Sequence, residues 1–281
     1  MEDKYWTAIV KPKTGWFDID LNEVFQYRDL IKMFIKRDFK TMYKQTILGP
    51  LWIIISPLFT TLMFTIVFGK IANISTDGIP QFLFYMSGNI IWSYFSTVLS
   101  KTSNTFISNV SIFGKVYFPR LVMPISVSIS SLINFGVQFF MFIGFLIYFY
   151  IKGSSISPNW YMLLSPLLII QSCILALGFG IIISSLTTKY RDLAVLVGFG
   201  LQLWMYATPI VYPVSQISNK YKNIVLLNPM APIIETFRFV FLGCGEVPIF
   251  YLIISMLITL LVLIIGIVLF NKIEKNFMDT V

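Results

Sequence analysis

The sequence predicts an all-α integral membrane protein. It should have six transmembrane helices preceded by an amphipathic interfacial helix, and a re-entrant or gate-like external segment between the fifth and sixth spans. Three observations lead there. Hydrophobic residues fill 57% of the 281 positions and charged residues 12%, against roughly 45–50% and about 25% in soluble domains. Six long intervals lack Asp, Glu, Lys and Arg altogether, and the chain has no histidine. Without imidazole, Ser-His triads and the commonest transition-metal ligand are gone, so hydrolase and metalloenzyme chemistry is disfavoured. The two cysteines, Cys173 and Cys244, are far apart with no CxxC spacing, which suits packing better than a disulfide framework or a zinc site.

The uncharged intervals are 45–69, 78–100, 121–151, 153–188, 193–219 and 247–271. A charge at the bilayer centre costs about 2.5–3.5 kcal/mol, and a span needs about 20 apolar residues, so each interval reads as one crossing. No apolar run precedes Ile47, so no cleavable three-part signal peptide is expected. The organisation expected is a cytoplasmic N-terminal segment (1–46), a six-helix membrane domain (47–270) and a cytoplasmic tail (271–281). Of the 21 Lys and Arg, 16 fall on the side of the chain ends and five opposite. Basic residues mark the cytoplasmic side, so both termini are predicted cytoplasmic in a multi-pass protein of the cytoplasmic (inner) membrane. The net charge of +8 is read mainly as this topology signal, with attraction to anionic membrane lipid beside it and no nucleic-acid partner.

Ahead of the first span, Asp20-Leu21-Asn22-Glu23 has the form of a capping box. From Val24 to Lys44, Ile31, Ile35, Phe39 and Tyr43 recur every four residues beside Arg28, Lys32, Lys36, Lys40 and Lys44, an amphipathic stripe. Two readings fit it: a helix snorkelling its lysines at the headgroups, or a docking surface for a cytoplasmic partner. Gly49-Pro50 and Pro57 interrupt the first span, and Pro209 and Pro213 stand at the end of the fifth. Proline removes a helical hydrogen bond, and irregular backbone at membrane depth belongs against protein or a water-filled path, so these positions are hinge or gate candidates. In the external insertion, 215–246, Asn228-Pro229 opens a helix in which Glu235 stands three residues before Arg238, an ion-pair spacing. Trp and Tyr favour headgroup depth, which accounts for most of Trp6, Trp16, Trp92, Trp160 and Trp204. Trp52, Trp92, Trp204 and Tyr212 are candidates to face a sugar in a channel.

No ionisable side chain stands inside the six intervals, which argues against a proton- or sodium-driven carrier. The chain also lacks the GxxxxGK[ST] phosphate loop, so any ATPase must be a separate chain.

Tyr27-Arg28-Asp29-Leu30, Lys36-Arg37-Asp38-Phe39-Lys40, Tyr43-Lys44-Gln45-Thr46-Ile47-Leu48-Gly49, Trp52 and Pro57 together resemble the N-terminal signature of type-2 ABC transporter permeases that export polysaccharides and O-antigen. The likeness continues in order through Asp77-Gly78-Ile79-Pro80, Lys115 to Arg120, Tyr190-Arg191-Asp192, Gln202-Leu203-Trp204, Pro209 to Pro213, Asn228-Pro229-Met230 and the tail Glu274 to Asp279. Teichoic-acid exporter permeases are close relatives. Single motifs here are weak; their order and spacing carry the resemblance.

The resemblance implies a permease that pairs with a second copy of itself and with two ABC ATPase subunits. Those subunits would hold ATP and Mg, and this chain would hold no cofactor and no nucleotide site. The substrate implied is a lipid-linked glycan. ATPase coupling then falls on Arg37, Asp38, Lys40, Tyr43 and Lys44, on Lys115 and Arg120 in the first loop, and on Arg191 and Asp192 in the second. Export of a drug or small lipid through the same architecture, and an intramembrane glycan enzyme, remain as alternatives.

Overall fold

The basic stripe folds as two helices, α1 (Leu21–Gln26) and α2 (Arg28–Tyr43), broken at Tyr27. In the computed structural model, which describes residues 21–44, 47–113, 115–116, 118–187, 190 and 192–280, all regular structure is helical. The expected cap Asp20, together with Trp6 and Trp16, lies outside the described residues. The apolar side of α2 packs on the protein: Phe34 is buried against Phe118, with ring centroids 5.8 Å apart.

The first span opens with a 3-10 turn (Gly49–Leu51), continues as α3 (Trp52–Phe64) and finishes as a π-helical stretch (Thr65–Ile71). α4 (Gln81–Ser103) follows, then two short helices, α5 (Thr105–Ser108) and α6 (Val110–Phe113). α7 (Val122–Ile151), α8 (Ser165–Thr187) and α9 (Leu193–Ala207) come next. α10 (Asn219–Leu227) and α11 (Met230–Leu242) meet at a bend of 101°, and α12 (Ile249–Thr280) ends the chain.

Among the described residues, four stretches are long and apolar enough to cross a membrane: Gly49–Ile71, Val122–Ile151, Trp160–Thr187 and Ile249–Lys272. They coincide with four of the six uncharged intervals. The second interval differs in kind. α4 has 23 residues, yet its buried residues include Ser87, Asn89, Thr102 and Ser103. It is the central post of the core, packed by α3, α7, α8 and α11, and a helix enclosed by protein need not be apolar all round. The fifth interval differs in length. Its helix, α9, has 15 residues, short of the ~20 that cross hydrocarbon, because the chain turns out of it at Thr208-Pro209. No residue of α9 is buried.

Small residues set the closest approaches. A Cβ on Gly178 would lie 3.0 Å from the Leu263 backbone nitrogen, and one on Gly266 2.9 Å from the Gly178 carbonyl oxygen. Glycine at both sites lets α8 and α12 touch backbone to backbone, a common device in membrane helices.

The bundle has two distinct ends. At one, Val24, Phe34, Phe106, Phe113, Phe118, Val122, Met123, Ile181 and Phe270 form a second core. It joins the N-terminal helices, the 104–121 link and the far part of α12. At the other end the connections around 72–80, 153–160 and 209–217 and the bent pair α10–α11 are knit together by polar contacts.

Candidate functional site

The breaks in the helices are where the chemistry collects. Pro57 has no N–H, so the carbonyl of Ile53 loses its helical donor. Gln138 of α7 supplies one, its Nε2 donating to Ile53 O at 3.4 Å. Asn89 of α4 donates to Pro57 O and to Thr61 Oγ1, each at 3.4 Å. Two amides from neighbouring helices thus receive the kink. Further along, Gln81 Nε2 donates to Gly69 O within the π-helical stretch, at 3.1 Å. These groups were missed in the sequence, although a neutral amide inside an apolar span is itself a sign of a waiting partner.

At the opposite end, Arg238 is completely buried. Its Nη1 donates to Pro209 O at 2.5 Å and its Nη2 to Ile210 O at 2.5 Å, while Glu235 Oε1 lies 3.3 Å from Nη1. The guanidinium carbon sits 3.8 Å from the Phe84 ring centroid. The forked geometry of arginine suits this task, since one planar group meets two carbonyls and a carboxylate. The Glu235–Arg238 pair is here an enclosed clamp on the turn after α9. Gly88 makes room for it: a Cβ there would lie 2.7 Å from Arg238 Nη2.

Asn228, at the bend of α10–α11, is a second fastening. Its Oδ1 accepts from Trp204 Nε1 at 2.9 Å and from Met230 N at 3.1 Å. Its Nδ2 donates to Thr208 Oγ1 at 2.8 Å. Next to it, Pro229 O accepts from Ser255 Oγ at 2.7 Å, and Ser255 Oγ accepts from Gln171 Nε2 at 2.8 Å. Asp77 accepts from Ser215 Oγ at 2.9 Å on each carboxylate oxygen. Pro209, Asn228, Pro229, Glu235 and Arg238 are therefore brought together as one assembly, with Pro213 buried beside it. Gly49, Pro50 and Pro57 lie apart from it, in the first span.

The four aromatic candidates do not share one wall. Trp92 and Trp204 contact each other, with centroids 6.2 Å apart, and Trp204 also meets Phe95 at 5.1 Å. Trp92 is buried and Tyr212 half-buried, the Tyr212 hydroxyl donating to Tyr206 O at 3.3 Å. Trp52 stands exposed at the start of α3.

At the basic end, Arg37 pairs with Asp38 at 2.9 Å and lies over Phe34 at 4.8 Å. Lys40, Lys44, Lys115 and Asp192 are exposed. Arg120 is buried, its guanidinium 5.7 Å from the Phe113 ring and 5.9 Å from the Phe106 ring. Asp29, bonded to Lys32 at 3.0 Å, has its carboxyl held below the usual range by that ammonium. Arg191 and the side chain of Tyr43 lie outside the described residues. No three of Cys, Asp and Glu gather into a metal-holding group among the described residues.

Broken spans held by buried polar clamps, over an end with exposed cations, define a multi-pass helical membrane protein. Residues 29–242 match the ABC-2 type transporter family, and the chain belongs to it. It is 30% identical over 252 residues to the O-antigen export system permease protein RfbA of Klebsiella pneumoniae, covering 89% of this chain and 94% of that one. With the protein of that name from Myxococcus xanthus, identity is 27% over 226 residues, 79% of this chain and 83% of the relative. The polysialic acid transport protein KpsM of Escherichia coli is 24% identical over 206 residues, 72% of this chain and 77% of the relative.

Proposed function

We propose that the protein is the membrane subunit of an ATP-driven exporter of a lipid-linked polysaccharide, O-antigen or a similar surface glycan. The observation that carries this reading is near-full-length similarity to permeases named for O-antigen export. Two copies of the chain would meet two separate ABC ATPase subunits in the cytoplasmic membrane, with ATP and Mg bound there. Six crossings follow when α3, α4, α7, α8, α9 and α12 each count as one and α10–α11 as a re-entrant pair, which leaves both termini cytoplasmic. ATPase coupling falls on the basic end, at Arg37, Asp38, Lys40, Tyr43, Lys44, Lys115, Arg191 and Asp192, with Arg120 buried behind that surface against the Phe106 and Phe113 rings. Gly49, Pro50 and Pro57 act as the hinge of the first span. The assembly of Pro209, Pro213, Asn228, Pro229, Glu235 and Arg238 acts as the outer gate. Trp52, Trp204 and Tyr212 offer flat, uncharged faces on which sugar rings slide without tight binding, with the enclosed Trp92 backing Trp204.

Deleting the gene tests this. Surface glycan should disappear while lipid-linked polymer accumulates on the cytoplasmic side, and the intact chain should restore export. Normal surface glycan with no internal accumulation would overturn the reading. Loss of teichoic acid, or altered drug resistance with surface glycan intact, would assign the same architecture to a different cargo.

A further inference from the structure

A cleft of about 250 Å³ opens between α3, α4 and α7, beneath the first turn of α3. Trp52, Ser93, Thr97, Lys101, Ser131 and Asn134 border it, and no acid does. Polar groups between membrane helices are costly unless something meets them. Here two are unmet: Ser131 is 2% exposed and its Oγ has no hydrogen-bond partner, and Asn134 Oδ1 is likewise buried without one. Lys101, two residues from the end of α4, forms no ion pair with the described residues. Ser131 lies nine residues into α7 from Val122, about 14 Å at 1.5 Å per residue. The cleft therefore runs inward from a cation at its mouth, past hydroxyls and an amide, with an indole at the rim.

We infer that this cleft binds the phosphate of a membrane lipid. The Lys101 ammonium meets the phosphate as a point charge. The buried Ser131 hydroxyl, the Thr97 and Ser93 hydroxyls and the Asn134 Nδ2 donate to oxygens of the same head group, while Asn134 Oδ1, an acceptor, is left for a hydroxyl of the ligand. The inference rests on the proposed export function in one respect, that the basic end faces the cytoplasmic leaflet. A polyprenyl phosphate carrier and an ordinary anionic phospholipid share the required chemistry.

Binding to the purified full-length chain in detergent, without ATPase or glycan, decides it. The probes are undecaprenyl phosphate, phosphatidylglycerol and uncharged undecaprenol. Undecaprenyl phosphate should bind at least about tenfold more tightly than undecaprenol, and Lys101→Met should lose about tenfold, the worth of one hydrogen bond to a charged group. Tighter binding of undecaprenyl phosphate than of phosphatidylglycerol assigns the cleft to a carrier lipid, and equal binding assigns it to bulk anionic lipid. Thr97→Val, which keeps the side-chain shape, should lose about threefold and carries the test if Lys101→Met elutes as aggregate. Equal affinity for undecaprenol and its phosphate, or unchanged affinity in folded variants, would overturn the inference. Such a failure leaves the export reading standing, whereas normal glycan in a deletion strain removes that reading and leaves the binding result intact.

Discussion

The two ends of the bundle are tied by different physics. At the basic end rings do the tying: Phe113 and Phe118 lie 5.5 Å apart and Phe106 and Phe270 4.9 Å apart, while the lysines around them stay exposed. At the opposite end a buried guanidinium and the amides of Gln81, Asn159 and Asn228 hold backbone oxygens at fixed distances. A ring contact contributes about 0.5–1.5 kcal/mol beyond its area and tolerates sliding. A buried charge-assisted clamp tolerates little, since losing one partner strands the other in a low dielectric. The basic end can therefore shift in small steps under a partner's push, and the clamped end is suited to a change between two discrete arrangements.

The sharpest way to break that contrast is at the clamp. Arg238→Met leaves Glu235 without its cation and two carbonyls without donors, and should cost about 3–5 kcal/mol. In detergent this reads as loss of the monodisperse peak and of the thermal transition; a wild-type transition would refute the clamp. Gly88→Ala acts on the same site from α4, since its Cβ would lie 2.7 Å from Nη2. The expected cost is about 1–3 kcal/mol, the usual range for overpacking, read as a lowered thermal midpoint.

A finer test concerns the kink in α3. Gln138→Leu removes the donor to Ile53 O and should cost about 1 kcal/mol, the bond being long at 3.4 Å. In a Pro57→Ala background the new N–H meets that carbonyl, so the same change should cost much less. Thermal midpoints of the four proteins give the coupling, and equal costs in both backgrounds would show that Gln138 does not serve the proline break.

The fold was legible where charge is the deciding variable. α3, α7, α8 and α12 as far as Asn271 lie within the uncharged intervals because a charge there is expensive. The shortness of α9 was harder to see, because an uncharged run measures absence of charge and passes through Thr208-Pro209, where the helix ends. Arg238 was legible as a partner of Glu235 three residues away. Its burial was not, because its main acceptors, Pro209 O and Ile210 O, are backbone atoms 29 and 28 positions distant. Asn89, Gln138 and Gln171 carry no charge, so counting charges passes over them, although each fastens one span to another segment.

The smallest expected change in stability is at the basic end, and it carries the largest consequence for function. The Arg37–Asp38 pair is between adjacent residues, and the Arg37 side chain is 42% exposed, so Arg37→Ala or Asp38→Ala should alter stability by only about 0–1 kcal/mol. On the proposed function these residues face the ATPase, so both variants should insert, elute and melt like wild type while surface glycan falls and the ATPase no longer co-purifies. Loss of folding in Arg37→Ala would mean that its position over Phe34 is structural, and that the basic end resembles the clamped end more than its exposed lysines suggest. Normal export with the ATPase still bound in both variants would move coupling away from this face of α2, toward the 104–121 link that α2 packs against. The readout pairs a melting curve with an export assay because only that pairing separates a surface that transmits force from one that merely holds shape.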